Sequence, residues 1–308
     1  MTATKFYRYL GGNATNVAVG LARLGIDAAL ISKVGVDIHA EYLLASLAAE
    51  KVDTSYIVSD ASQPTAQCYM TRRADGFPDY HAWPSPNASK SITAEDVAQE
   101  AFQSSWIWHA AAVSFIAKPR RFAMSFAIDE AHAQNKIISF DAGFPLVESD
   151  GGAKAAWNAM AKADILKFNL AEAAYWSKSS IEEDLDVMVA KLLKRLSPAV
   201  LIVTLAEKGA VLYCSGEKAF CPPLKVNSIG DVGPGDAFSA GLIYGLSTLG
   251  DRGRKREELY EFKLKTWEGL ARYGACTGAL ITRSHSATES FPRLTELMAS
   301  MGKTSLEA

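Results

Sequence analysis

Gly230–Leu246 reads GDVGPGDAFSAGLIYGL, a tight glycine turn that runs straight into a helix. Gly233 and Gly235 leave the backbone bare enough for an anion to approach. From Asp236 onward, Ala237, Phe238, Ala240, Leu242, Ile243 and Leu246 supply helix formers and an apolar stripe. The first turn of a helix has N–H groups without internal partners and carries the positive end of the dipole. A turn that aims those groups outward makes a phosphate or oxyanion site. Asp236 stands at the same terminus, where a carboxylate either caps the helix or takes a proton from a hydroxyl that attacks the phosphate. Spacing by itself leaves both roles open.

Between Thr93 and this stretch, strand and helix alternate. WIWHAA, KIISFDAG, DILKFN and AVLIVTL read as strands, the last β-branched in the manner of a parallel sheet. RRFAMSFAIDEAHAQ, AAWNAMAKA, LAEAAYW and IEEDLDVMVAKLLKRL read as helices, Thr93 as the N-cap of a further helix in AEDVAQEAF, and VLYCSG with KAFCPP as a hairpin. Two long helices at about 258–282 and 291–301 finish the chain. Such alternation predicts a doubly wound α/β sheet with ligands at the carboxyl ends of its strands. Asn169 and Glu172 lie at one strand end, an amide and a carboxylate on one face. That pairing suits a hydrated Mg²⁺, and it equally suits a capped helix with an acidic first turn. Asp141 and Thr204 end two other strands, and Gly209 makes a turn compatible with a nucleotide edge.

In the N-terminal part, residues 5–10 (FYRYLG) are strand-like. In GGNATNVAVGLARLG, Gly11 and Gly12 open a turn and Asn13 or Thr15 is available as cap. Val17, Leu21 and Leu24 then recur at helical spacing, and Gly25 ends the helix. Asn13 and Asn16 face the side of the glycine turn, an arrangement for the hydroxyls of a small polar ligand; the plainer reading puts Asn16 on a solvated face. AALISKV at 28–34 is a strand, followed by a helix at about 38–50. TAQCYMTRRADGFPDYHAW alternates like a hairpin that turns at Ala74-Asp75-Gly76. With residues 5–12, the segment at about 60–90 forms a small β layer apart from the α/β body, and Thr65, Gln67, His81 and Trp83 are candidates to face a ligand.

The composition bounds the function. With 308 residues and 49% hydrophobic content the chain has ample core, and its net charge of −2 gives no electrostatic case for nucleic acid or an anionic membrane. The four cysteines have neither CxxC nor zinc spacing, and the five histidines form no metal pair. No signal peptide or membrane span is evident, and a cytoplasmic protein is expected. GxSxG and GxxxxGK[ST] are missing, so the hydrolase and P-loop readings lose their main support, and GGNATN is not GxGxxG, which counts against a dinucleotide fold.

These pieces in this order resemble the ribokinase-like (PfkB) carbohydrate kinases. The N-terminal signature, two glycines followed by Asn16, Ala18, Gly25 and Gly35, fits Gly11–Gly35, and Gly230–Gly241 resembles the C-terminal one. Asn169–Glu172 looks like the family's N-x-x-E magnesium motif, and VTLAEKGA like its nucleotide-edge strand. The resemblance implies a single kinase domain over 1–308, a three-layer α/β/α sandwich with a small β-sheet lid. It implies transfer of the ATP γ-phosphate to a monosaccharide hydroxyl, fructose or a 2-keto-3-deoxy sugar acid being favoured. A non-catalytic sugar- or nucleotide-binding relative, or a nucleoside kinase of the same family, is the alternative. By this analogy Asp236 is the base, Gly233 and Gly235 form the anion hole, and Gly12, Asn13 and Asn16 hold the sugar. Asn169, Thr204, Gly209 and Gly235 line ATP, and Glu172 with Asn169 serves Mg²⁺. A monovalent cation (K⁺) nearby and a homodimer through the lid also follow from it. The family turn reads D-T-x-G-A-G-D, whereas here Gly230 and Asp231 replace its first two residues and Pro234 lacks an N–H. Relatives begin with a strand and a sugar-binding Asp before the paired glycines, so a truncated start is expected.

Overall fold

The computed structural model describes residues 5–72, 78–82, 84–143, 151–230, 232–284 and 288–304. The chain opens without regular structure over 5–12, then forms α1 (Asn13–Arg23), β1 (Ser32–Val34), α2 (Ile38–Ala49), β2 (Ile57–Ser59), β3 (Tyr69–Arg72) and β4 (Pro78–Ala82). Next come α3 (Glu100–Ser104), β5 (Ile107–Ala111), α4 (Arg120–Ala133), β6 (Ile137–Asp141), α5 (Gly152–Met160), β7 (Ile165–Asn169), α6 (Leu170–Ser177), α7 (Leu185–Leu193) and β8 (Val200–Thr204). The hairpin β9 (Ala210–Cys214) and β10 (Glu217–Cys221) leads to α8 (Pro234–Ser247), α9 (Arg256–Leu259), α10 (Leu264–Ile281) and α11 (Leu294–Thr304). A six-stranded sheet in the order β10-β9-β8-β7-β6-β5 is parallel from β5 to β8 and antiparallel at β9 and β10. β1 pairs with β2 in a parallel ribbon, and β3 with β4 in an antiparallel one.

Side chains of a strand point alternately to its two faces, and here the alternation sorts the six-stranded sheet's residues into a core on each face. Ile138, Phe140, Leu166, Phe168, Leu201 and Val203 pack with Ala127, Met160, Met188 and Leu192 from α4, α5 and α7. Ile137, Ile165, Val200 and Ile202 pack on the other face with Phe238, Leu242 and Leu246 of α8 and Leu270 of α10. The result is the expected α/β/α sandwich, each large apolar side chain gaining about 1.5–3 kcal/mol from leaving water. Ser139, Asp141 and Lys167 fall on the α8 face by the same alternation. A one-residue slip would swing them into the apolar core opposite, so the register is tightly specified. Among the described residues no helix is long and apolar enough to cross a membrane.

The departures from expectation have local causes. Residues 5–10 are not a strand; Arg8 lies 3.9 Å over the Tyr42 ring and Phe6 meets Tyr69 edge-on at 6.1 Å, so ring contacts hold this segment in place of a ladder. Thr93 does open a capping box, but its partner Asp96 also pairs with Lys33 at 2.8 Å, and only a short turn forms before α3. α7 is shorter than its pattern because Asp184 caps it at Asp186 and Val187. The helix expected at about 258–282 is split into α9 and α10, with Arg256 and Tyr260 both anchored on buried Asp164. The hairpin turn at Ala74-Asp75-Gly76 lies outside the described residues.

Candidate active site

Two helix starts meet above the carboxyl ends of the strands. Gly233, at φ +81°, is the left-handed N-cap of α8, a conformation that costs glycine little, and Pro234 occupies the first helical position. Gly12, at φ +109°, is the N-cap of α1, so neither Asn13 nor Thr15 caps that helix as the sequence allowed. Asn13 Nδ2 donates to Asp236 Oδ1 at 3.0 Å, and Asn16 Nδ2 donates to Asp236 Oδ2 at 2.7 Å. Asp236 is therefore not the cap of its own helix; its buried carboxylate turns across to α1. Asn16 Oδ1 is buried without a hydrogen-bond partner, a state that costs about 1–3 kcal/mol until a donor arrives. Burial, followed by the negative charge of Asp141, pushes the Asp236 carboxyl up to about 6 against the opposing pull of Asn16, Lys167 and Asn13.

Under the first turn of α8 lies a line of polar strand residues. Asp141 and Lys167 are register partners on β6 and β7, and Lys167 Nζ stands 3.1 Å from Asp141 Oδ2. Both side chains are buried. Ser239 Oγ donates to Asp141 Oδ1 at 2.7 Å. A Cβ on Gly235 would lie 3.2 Å from Lys167 Nζ, so a larger residue there would press on the ammonium. Burial pulls the Lys167 amine down, but Asp141, Glu172 and Asp236 outweigh it and hold the amine above its usual range. His109 on β5 shares a hydrogen bond of 3.1 Å between Nδ1 and Ser139 Oγ, while its Nε2 is buried without a partner.

At the start of α6, Asn169 and Glu172 form a reciprocal capping box. Asn169 Oδ1 accepts from the Glu172 N–H, and the two Glu172 oxygens accept from the Asn169 N–H and Nδ2, each at 2.8 Å. Burial raises the Glu172 carboxyl above its usual range. Thr204 sits beside Asn169 in register, its hydroxyl donating to the Phe168 carbonyl at 3.3 Å. Gly209, at φ +100°, closes the turn from Thr204 into β9, where a Cβ would fall 2.4 Å from the Cys221 carbonyl oxygen. No group of three or more His, Cys, Asp or Glu side chains among the described residues could hold a metal ion.

The fold thus brings Gly12, Asn13, Asn16, Gly233, Gly235 and Asp236 to one place and aligns Asn169, Thr204 and Gly209 along the neighbouring strand ends. Thr65 is not free for a ligand, since it accepts from the Gly35 N–H and donates to Asp37. Gln67 accepts from the Tyr69 hydroxyl, His81 is exposed against Thr71, and Trp83 and Asp231 lie outside the described residues. Sequence pattern alone does not single out Lys167, Ser239 or His109. A signal for Lys167 is there all the same: one lysine in the otherwise apolar strand ILKF, directly before Asn169.

A profile of the pfkB family carbohydrate kinases matches residues 1–294. Fructokinase-1 of Oryza sativa subsp. japonica is 30% identical over 310 residues, covering 97% of this chain and 90% of the relative. The crystal structure of fructokinase with bound ATP from Xylella fastidiosa superposes with a TM-score of 0.88 at 24% identity, covering 97% of this chain and 92% of that one. Fructokinase from Vibrio cholerae O395, in a fructose-, ADP- and calcium-bound form, gives 0.84 at 22% identity, covering 97% and 93%.

Proposed function

The chain belongs to the pfkB family of carbohydrate kinases, and from that premise we propose that it transfers the γ-phosphoryl group of ATP to a hydroxyl of fructose. The observation that carries the reading is Asp236: a buried carboxylate at a glycine-opened helix start, held by two amides from another helix. Asp236 takes the proton of the attacking hydroxyl; the new P–O bond forms as the bond to the β-phosphate oxygen breaks, and ADP leaves. The N–H groups of Gly235 and Asp236, in the turn opened by Gly233, face the charge on the transferring group. Gly12, Asn13 and Asn16 hold the sugar, and the orphan Asn16 oxygen accepts one of its hydroxyls. ATP lies along Asn169, Thr204, Gly209 and Gly235.

For the divalent ion the described residues offer no cage of their own, and both Glu172 oxygens are engaged in the capping box. They fit a hydrated Mg²⁺ that arrives on the phosphates, with Asn169 and Glu172 acting through its water shell. When bound, the ion supplies neutralising charge to the phosphates. The hairpin β3–β4 and the strap at 5–12, which touch through Phe6 and Tyr69, serve as a lid on the one kinase domain.

The test is ADP release from ATP and Mg²⁺ across fructose, glucose, ribose, 2-keto-3-deoxygluconate and a nucleoside. Fructose is expected to give the highest kcat/KM. ATP binding without stimulation by any of them would overturn the reading in favour of a non-catalytic binding protein.

A further inference from the structure

Asp141 takes no part in the steps above, yet it reaches the helix that carries Asp236 in two ways. Its Oδ1 accepts from Ser239, which lies three residues beyond Asp236 on the same helix face. Its Oδ2 pairs with Lys167, whose ammonium rests against Gly235, the residue just before Asp236. One strand-end carboxylate therefore bonds α8 directly beyond Asp236 and, on the near side, holds the ammonium that packs against Gly235. We propose that Asp141 is a positioning residue for Asp236: it fixes the first turn of α8 on the sheet and, as a like charge held close by, keeps the Asp236 carboxylate a stronger base. The proposal rests on the reading of Asp236 as the base.

The charge is more than the fold requires. An amide at position 141 would accept the Ser239 hydroxyl equally well, and a buried ion pair adds little to stability over well-packed apolar residues. What the charge does is electrostatic. The positive end of α8 and the two asparagine amides all favour the ionised form of Asp236 and weaken it as a base. Asp141 acts in the opposite sense, and Lys167 moderates it. Among the described residues, β6 contributes Asp141 to this surrounding and β7 contributes Lys167. α1 brings only the Asn13 and Asn16 amides, and α10 faces α8 with Tyr273, Gly274, Thr277 and Gly278. Glu172 on α6 acts on Lys167, and His109 on β5 stands beside Asp141 and Lys167, its imidazole pushed below its usual range by burial.

The deciding measurement is a ¹³C-carboxyl NMR titration of Asp236, its resonance identified by its loss in Asp236→Asn. It is run on wild type, Asp141→Asn and Ser239→Ala, beside the pH profile of kcat/KM. Asp141→Asn should lower the Asp236 midpoint by about one pH unit and carry the acid limb of the profile with it. Ser239→Ala, which loosens the tether and keeps the charge, should lower kcat and leave the midpoint in place. An unmoved midpoint in a folded Asp141→Asn protein, with only a lower Tm, would overturn the proposal. If Asp141→Asn does not fold, Lys167→Met decides: the midpoint should rise, and a midpoint that stays put overturns the idea. The titration needs no turnover, so a protein without kinase activity whose Asp236 midpoint still shifts upholds the coupling and defeats the function.

Discussion

At the start of α6, Asn169 and Glu172 satisfy each other across three residues, and every oxygen of the pair has a donor from the pair itself. At the start of α8, Asp236 draws its donors from Asn13 and Asn16, 223 and 220 residues away in the sequence, and one amide oxygen there stays unpaired. The first arrangement closes on itself and holds a helix in place. The second imports its partners from another helix and leaves buried polar capacity over, which is what a ligand needs. Two helix starts that each set amides against a carboxylate thus differ in whether the hydrogen-bond account is complete without a guest.

Asp236→Asn tests the open site most severely. As general base the carboxylate is worth about 10²- to 10⁴-fold, so kcat should fall by that factor while ATP and fructose still bind with near wild-type Kd. The ionised form is the active one. With the carboxyl held up to about 6, kcat/KM should be flat above that pH and fall tenfold per unit below it. A variant that kept most of its kcat would make α8 as self-contained as α6 and erase the contrast.

Glu172→Gln sharpens the closed site. If Glu172 acts on the ion through water, the Mg²⁺ concentration for half-maximal activity should rise about tenfold, with fructose KM unchanged. The weakened capping box should also cost about 1 kcal/mol in a urea or thermal melt. Lower stability with an unaltered Mg²⁺ titration would leave Glu172 a cap and nothing else.

Local patterns made much of this legible. The β-branched run at 200–204, the end of α1 at Gly25 and the hairpin of β9 and β10 all appear where short-range chemistry puts them. The glycine turn before α8 was equally plain. Asn169 and Glu172 were recognisable as a pair because their partners are three residues apart; for the same reason sequence could not separate cap from metal partner. What stayed hidden depends on which strands become neighbours. Asp141 gains meaning only when β6 lies against β7 and brings Lys167 to it, and Ser239 only when α8 settles on that face. The strand expected at 5–10 fails because aromatic spacing reports ring contacts as readily as a ladder, and which of the two forms depends on whether a strand edge is at hand.

The smallest expected effect belongs to Pro234. Proline has no N–H, and in an anion hole the loss of one donor costs about 2.7–4 kcal/mol where that donor is aimed at the charge. Pro234 is the first residue of α8, ahead of Gly235 and Asp236, whose N–H groups remain at the helix start. The Ala237 N–H already bonds back to the Gly233 carbonyl at 2.9 Å, so the helix begins normally with the proline in place. The fixed φ of proline also stiffens a turn that has a glycine on either side. Pro234→Ala adds a donor to a hole that has two and gives up some of that stiffness. The expected outcome is a kcat higher by about two- to threefold, with fructose KM unchanged because the donor acts mainly in the transition state. Stability should drop by about 0.4–1 kcal/mol through the freer unfolded chain. Steady-state kinetics and a melt on the two proteins check both numbers. A fall in kcat would mean that the proline sets the geometry of the turn, and that the order of Gly233, Pro234 and Gly235 matters more to the open site than its count of donors.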